Sequence, residues 1–278
     1  MNFQSMTPQD RKELLRCALK AARIGREVLL HYFGRLEHIE EKFQAGLVSE
    51  ADKEAERVIR EYLQNEQPEI DFLGEESTPD LGQVQSKLQR PRWILDPLDG
   101  TTNYIHRFPV FAVSLGLQVG EHLEVGVVDV PMMGEVYTAV RGGGSFMNGK
   151  KISVSETSLL KDAFLATGFI SEIEENLEEQ LRVFSNMVRK ARAIRRAGAA
   201  AYDLCLVARG VFDGYWEKGL KPWDSAAGVL LVREAGGVVQ TYRGLEYDPF
   251  QNSIVAGTKP VVAQIQKELL PHLMPSTN

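Results

Sequence analysis

Apolar residues recur at helical spacing near the start of the chain: Leu14, Leu15, Ala18, Ala22, Val28, Leu29 and Tyr32 predict a helix running to about Phe33. Thr7-Pro8-Gln9-Asp10 supplies its N-cap and a proline at the first helical position. Ala55, Val58, Ile59 and Tyr62 predict a second helix from Ala51 to Leu63, with a loop over Lys42 to Glu50 between the two. The period then falls to two. Ile70 to Gly74 and Trp93 to Leu95 read as short strands, and Phe111 to Val140 as strands with Val113, Leu115, Leu117 and Val119 alternating. Gly142-Gly143-Gly144 and Asn148-Gly149 are turn signals. Further on, a strand over Ala163 to Ala166 precedes helices over Glu174 to Ala191, Ala199 to Val211 and Trp223 to Ala235. Strands Val238 to Gln240 and Ile254 to Ala256 and a closing helix from Val261 to Leu273 complete the pattern.

Helical and strand periods that interleave in this way predict an α/β (α+β layered) chain in which helices cover mixed sheets. No repeat, low-complexity tract or proline-rich linker divides the sequence, so residues 1–278 read as one unit with halves at about 1–155 and 156–278. With 44% hydrophobic and 25% charged residues the balance is that of a globular protein. A net charge of −6 disfavours nucleic acid as the main ligand. Arg189, Lys190, Arg192, Arg195 and Arg196 form the basic cluster and read as a solvated helix face with the turn after it. Cys17 and Cys205 sit in helical patterns as small apolar residues rather than disulfide partners. Asp10, Arg11, Lys12 and Glu13 do not fit a signal peptide, and no apolar run reaches the ~20 residues of a membrane span. The expected location is the cytoplasm.

The chemistry concentrates in Trp93-Ile94-Leu95-Asp96-Pro97-Leu98-Asp99-Gly100-Thr101-Thr102-Asn103-Tyr104. A buried strand gives way to two aspartates three positions apart, then to Gly-Thr-Thr. Two carboxylates this close repel, and burying them unpaired is costly. A divalent cation resolves the conflict, and Mg²⁺ favours carboxylate and carbonyl oxygen. The Gly-Thr-Thr that follows offers amides and hydroxyls to a phosphate. Further carboxylates sit where a strand ends or a helix begins: Asp52, Glu75 in Gly74-Glu75-Glu76-Ser77, and Asp224 in Trp223-Asp224-Ser225-Ala226-Ala227-Gly228. Any one of them alone would simply complement a helix dipole.

In this order and separation the three motifs resemble the inositol monophosphatase family, Mg²⁺-dependent and Li⁺-sensitive phosphatases. The resemblance covers nearly the whole chain. It implies the alternating αβαβα sandwich of the inositol monophosphatase and fructose-1,6-bisphosphatase type. It also implies that Glu75, Asp96 and the Leu98 carbonyl hold one Mg²⁺, while Asp96, Asp99 and Asp224 hold a second. Glu75, Asp96, Asp99 and Asp224 carry −4 and two Mg²⁺ carry +4, so a filled site would accept an anionic phosphate, with a third, weaker ion as a further expectation. Water activated by the metals would attack directly, positioned by Glu75 and Thr101, with Asp52 bonded to Thr101. Gly100 and Thr101 amides would grip the phosphate. The polyol would meet Asp99, Gly198-Ala199-Ala200 and Glu217, with Ala199 standing where the family often has a hydroxyl. Lys42 is a candidate for a place near the metals. A homodimer and a small phosphorylated polyol substrate are also implied.

The substrate expected is myo-inositol 1-phosphate. Fructose 1,6-bisphosphate, histidinol phosphate, NADP⁺ and 3′-phosphoadenosine 5′-phosphate are the alternatives within the same chemistry. A role as a transcription or RNA-processing accessory, carried by the basic cluster, is the alternative of another class. His106, Glu76, Trp216 and Trp223 read as structural or packing residues, and glycines 142–144 as a hairpin turn.

Overall fold

The computed structural model describes residues 3, 6–42, 46–78, 81, 90–169 and 174–273, with the side chains of residues 41, 42, 46 and 174–176 outside that description. Helix α1 (Pro8–Tyr32) begins with the expected capping box between Thr7 and Asp10. A hairpin of β1 (Ile39–Lys42) and β2 (Gly46–Ser49) leads into α2 (Glu50–Glu66), whose own capping box joins Ser49 and Asp52. Together α1 and α2 cover one face of a large sheet.

That sheet has seven strands among the described residues, in sequential order. They are β3 (Asp71–Gly74), β4 (Arg92–Asp99), β5 (Ala112–Val119), β6 (His122–Val130), β7 (Glu135–Val140), β8 (Gly144–Met147) and β9 (Lys150–Ile152). Strands β3 and β4 are parallel, and every other neighbouring pair is antiparallel. The short helix α3 (Thr101–Ile105) follows directly on β4.

A second, five-stranded sheet runs β11-β10-β12-β14-β13. Its strands are β10 (Phe164–Thr167), β11 (Ala193–Arg195), β12 (Gly214–Lys218), β13 (Val238–Gln240) and β14 (Ser253–Gly257). Helices α5 (Ala200–Ala208) and α6 (Pro222–Glu234) fill the space between the sheets, and α4 (Glu174–Val188) and α7 (Lys259–Leu269) close the far side. Helix, sheet, helix, sheet, helix: this is the alternating sandwich expected from the sequence.

Covering both faces of the large sheet explains its composition. Val113, Leu115 and Leu117 of β5 are wholly buried against the α1 and α2 side, as the alternation predicts. The intervening positions face α6, and there the sheet uses small residues. Gly116 and Gly126 are directly opposite one another in the β5–β6 ladder. A Cβ on Gly116 would lie 3.0 Å from Ala226 Cβ, and one on Gly126 would lie 2.9 Å from the Ala227 carbonyl oxygen. Helix α6 therefore seats directly on the sheet backbone.

Four local expectations differ from the structure. The loop over residues 42–50 is largely the β1–β2 hairpin, whose first strand, Ile39-Glu40-Glu41-Lys42, runs through three consecutive charged residues and shows no apolar alternation. Strand β4 continues through Pro97 to Asp99 instead of ending near Leu95. Helix α4 stops at Val188, so Arg189 to Arg195 form a turn and edge strand β11 rather than a helix face. A three-residue edge strand with one large apolar side chain, Ile194, gives no periodic signal. Helix α7 ends at Leu269, a turn before its expected end, with a 3₁₀ turn following. The glycine-rich turn and Asn148-Gly149 close hairpins as expected, with Asn148 and Gly149 both at positive φ. Both cysteines are buried and free.

Gly126→Ala should lower stability by about 1–3 kcal/mol through overpacking against α6. Urea unfolding reads this directly, and an unchanged midpoint would show that the helix does not rest on the sheet backbone.

Candidate active site

The chain crosses from β4 to α3 through an irregularity. Asp96 pairs with Ser114 and Asp99 with Ala112, so three steps along β4 oppose two along β5. In a regular strand an odd spacing sends two side chains to opposite faces. The extra residue, beside Pro97 with no amide to donate, turns both carboxylates to one side. Gly100 then takes φ +92°, and a Cβ there would lie 2.9 Å from the Val110 carbonyl oxygen, so only glycine fits this corner. Asn103 donates to the Val110 and Ala197 carbonyls, both at 2.8 Å, and so ties α3 to the segment before α5.

Thr101 Oγ1 lies 3.0 Å from both Asp52 Oδ1 and the Leu98 carbonyl oxygen. Asp52 also accepts from the Ser49 amide at 2.7 Å and the Ser49 hydroxyl at 2.6 Å. The carboxylate that caps α2 thus reaches the threonine 49 positions away. Glu75 follows β3 in a turn whose first amide donates to the Leu95 carbonyl at 3.2 Å. Across the site, Asp99 caps α5: its carboxylate accepts from the amides of Ala200 at 3.0 Å and Ala201 at 2.9 Å. Ala199, at the N-cap, has no hydroxyl to do this, and Asp99 does it from 101 residues away. Asp224 sits in the first turn of α6 and accepts from the Lys221 amide at 2.7 Å. Glu217 on β12 accepts from the Tyr215 hydroxyl.

These elements enclose a cavity of about 310 Å³. Glu75, Asp96, Leu98, Asp99, Gly100, Thr101 and Asp224 line one part of it. Gly198, Ala199, Ala200 and Glu217 line the remainder. Asp52 is not on the wall and reaches it through Thr101. The side chain of Lys42 lies outside the described residues. His106 is exposed at the end of α3 and away from the cavity, and Trp216 and Trp223 are buried, as expected of packing residues.

Among the wall residues that sequence reasoning missed, which include Leu47, Gly168, Phe169 and Leu220, two are charged. Arg196, grouped with the basic cluster, reaches the cavity because β11 ends just before it. Asp203, in the first turn of α5, is 1% exposed, and its Oδ1 has no hydrogen-bond partner among the described residues. An aspartate four residues after the Gly198-Ala199 corner was the available signal.

Electrostatically the cavity is overloaded with acid. Burial, and then the charges of Glu75, Asp99 and Asp224, push the Asp96 carboxyl well above the usual range. Burial also raises Asp99 and Asp224, against the lowering effect of the amides they accept from. Asp203 is raised by burial and by Glu217 and Asp99. Burial lifts Asp52 to about 6 and Glu217 to about 7. Among the described residues no three acidic groups form a finished coordination sphere, and Asp96, Asp99 and Asp224 are turned onto backbone amides. As a donor set they nevertheless fit a hard divalent cation: buried, mutually repelling carboxylates, one main-chain carbonyl, and no nitrogen or sulfur ligand beside them.

Comparison with known proteins gives the class and then the family. The chain is 40% identical over 268 residues, 94% of its length and 98% of the relative's, to a fructose-1,6-bisphosphatase/inositol-1-monophosphatase of Aquifex aeolicus. It is 39% identical over 269 residues, 95% and 98% of the two chains, to the Nus factor SuhB of Pseudomonas aeruginosa. The crystal structure of the extragenic suppressor protein suhB from Bartonella henselae superposes with a TM-score of 0.85 at 36% identity, covering 92% of this chain and 98% of that one. The fold and the homologues define a phosphoric monoester hydrolase. Residues 10–276 match the inositol monophosphatase family, and the chain belongs to it.

The raised carboxyls fix the sign of the pH dependence. Their unfolded counterparts titrate near 4, so between about pH 4 and pH 7 the folded chain binds more protons, and rising pH costs stability. In chelator the melting temperature should fall from pH 5 to pH 7.5. Added Mg²⁺ should raise it more at pH 8 than at pH 5. A melting temperature in chelator that is flat or rises over that range would contradict the repulsion.

Proposed function

We propose that the chain hydrolyses myo-inositol 1-phosphate to inositol and phosphate. The observation that carries this is the division of one cavity. Glu75, Asp96, Asp99 and Asp224 gather where Gly100 and Thr101 present their amides, and Glu217 and the Gly198-Ala199-Ala200 backbone stand beside them. An anionic group fits the first part once the acids are neutralised, and vicinal hydroxyls fit carboxylate acceptors in the second.

Glu75, Asp96 and the Leu98 carbonyl would hold one Mg²⁺, and Asp96, Asp99 and Asp224 another, with room for a weaker third. When bound, the ions supply a more acidic water and neutralise the charge that builds on the phosphate. The remaining work belongs to the chain. Glu75 and the Thr101 hydroxyl orient the attacking water. Asp52, held near pH 6 by burial and bonded to Thr101, is suited to receive a proton through that hydroxyl at neutral pH. The Gly100 and Thr101 amides steady the phosphate, and no nucleophilic side chain is required. We further read residues 1–278 as one functional unit, because both halves supply walls of the cavity. The family resemblance supports a Li⁺-sensitive homodimer, and the charged residues 10–13 support a cytoplasmic location; among the described residues no helix is long and apolar enough to cross a membrane.

The name of the Pseudomonas aeruginosa relative favours a second reading, an accessory role in transcription. The basic cluster gives it modest support, since Lys190 pairs with Glu268, Arg192 with Asp162, and Arg195 lies over the Phe164 ring. On this reading the wild-type chain should pull down polymerase and alanine at Arg192, Arg195 and Arg196 should abolish that binding; background-level binding unchanged by the substitutions removes the reading.

Phosphate release should depend on Mg²⁺ and be faster from inositol 1-phosphate than from fructose 1,6-bisphosphate or histidinol phosphate. Metal-dependent turnover that favours another ester would keep the mechanism and overturn the substrate. Asp96→Asn should leave the fold intact with activity below about a tenth of wild type, since a lost ligand costs more than ~1.4 kcal/mol. Glu217→Gln should raise KM for inositol 1-phosphate about tenfold, as loss of a charged hydrogen bond does, with p-nitrophenyl phosphate changed far less.

A further inference from the structure

Helix α2 carries a second buried carboxylate one turn beyond Asp52. Glu56 is 3% exposed, and its side chain lies against Gly74 at the end of β3. Its Oε2 accepts from the Glu76 amide at 2.8 Å, and the amide and hydroxyl of Ser77 donate to the same carboxylate. The three donors belong to the turn that presents Glu75. The other end of that turn is fastened where the Glu75 amide meets the Leu95 carbonyl, one residue before Asp96. The turn that carries Glu75 is thus held between two anchors, one on β4 and one on α2.

Among the described residues, the charge that acts most on the Glu56 carboxyl is that of Glu76, which repels it. A buried carboxylate held only by backbone and hydroxyl donors is an expensive way to fill space. It is an efficient way to fix a turn, because two oxygens satisfy three converging donors at once. Glutamine would aim its own amide hydrogens at some of those donors. Asp52 and Glu56 are four residues apart and share a face of α2. One rigid helix therefore sets both the Thr101 hydroxyl and the Glu75 carboxylate.

We propose that Glu56 is a positioning residue for the metal centre, acting through the Glu75–Ser77 turn. The inference rests on the reading of Glu75 as an Mg²⁺ ligand. Groups that orient ligands without touching the ion commonly govern its affinity by about 10–100-fold.

The test uses Glu56→Gln and Ser77→Ala in the full chain. Mg²⁺ uptake is followed by isothermal titration calorimetry without substrate, beside the Mg²⁺ dependence of phosphate release and melting in chelator. Glu56→Gln should bind Mg²⁺ about tenfold more weakly and raise the half-saturating Mg²⁺ to match, with kcat at saturating Mg²⁺ within about threefold of wild type. Ser77→Ala should shift both in the same direction by a smaller factor. Folded Glu56→Gln with wild-type Mg²⁺ affinity overturns the proposal, whatever its melting temperature. If Glu56→Gln does not fold, unchanged Mg²⁺ affinity in Ser77→Ala overturns it. A wild-type chain that takes up no Mg²⁺ overturns the metal reading itself, which separates the two failures.

Discussion

The structure is organised around a repulsion. Asp96, Asp99, Asp224 and Glu75 are brought from three separate stretches of chain into one cavity, and burial removes the water that would otherwise screen them. Left free, such groups would swing apart. Each is fixed to the end of a rigid element. Asp96 and Asp99 sit in the β4 bulge, Asp224 in the first turn of α6, and Glu75 in a turn between β3 and the body of the sheet. Backbone amides answer part of the charge on Asp96, Asp99 and Asp224. The charge that remains after those hydrogen bonds suits the cavity to a divalent cation.

The layers serve this arrangement. Small residues on the inner face of the large sheet let α6 descend onto β5 and β6, and this sets the depth of Asp224. The Ser114 hydroxyl, 3.2 Å from the Trp223 carbonyl, fastens the same helix start. On the outer face α2 does the corresponding work through Asp52. Most of the large apolar side chains that dominate the sequence pattern fill the spaces behind these contacts, while Leu47, Phe169 and Leu220 reach the cavity wall.

Much of this was legible from residue order alone. The Asp-Pro-Leu-Asp-Gly-Thr-Thr-Asn run, Gly74-Glu75-Glu76-Ser77 and Trp223-Asp224 identify the family, and through it the sandwich and the residues that line the cavity. Alternation in β5 and helical spacing in α1 and α2 gave elements with the right partners, because one strong apolar face decides each. What escaped had no such face. In the β1–β2 hairpin β1 carries three consecutive charged residues, and β11 has three residues at a sheet edge. Asp203 looked like any aspartate in a helix's first turn until burial left one oxygen without a partner. Arg196 was hidden by its basic neighbours, since a run of like charges does not say which member turns inward. The bulge at Pro97 is a property of pairing register, and register is set by two strands together.

The cap that Asp99 provides to α5 also constrains how the chain acquires its shape. Ala199, Ala200 and Ala201 begin a helix with no side chain of their own to hold its first amides, and the missing acceptor is supplied by a residue about a hundred positions earlier. A local cap would let that turn form early and independently. Here its last hydrogen bonds wait for the β4 bulge, a contact of long sequence separation that loop-closure entropy delays. The first turn of α5 and the cavity wall beside it should therefore be among the last parts to set, and folding would finish between the two sheets.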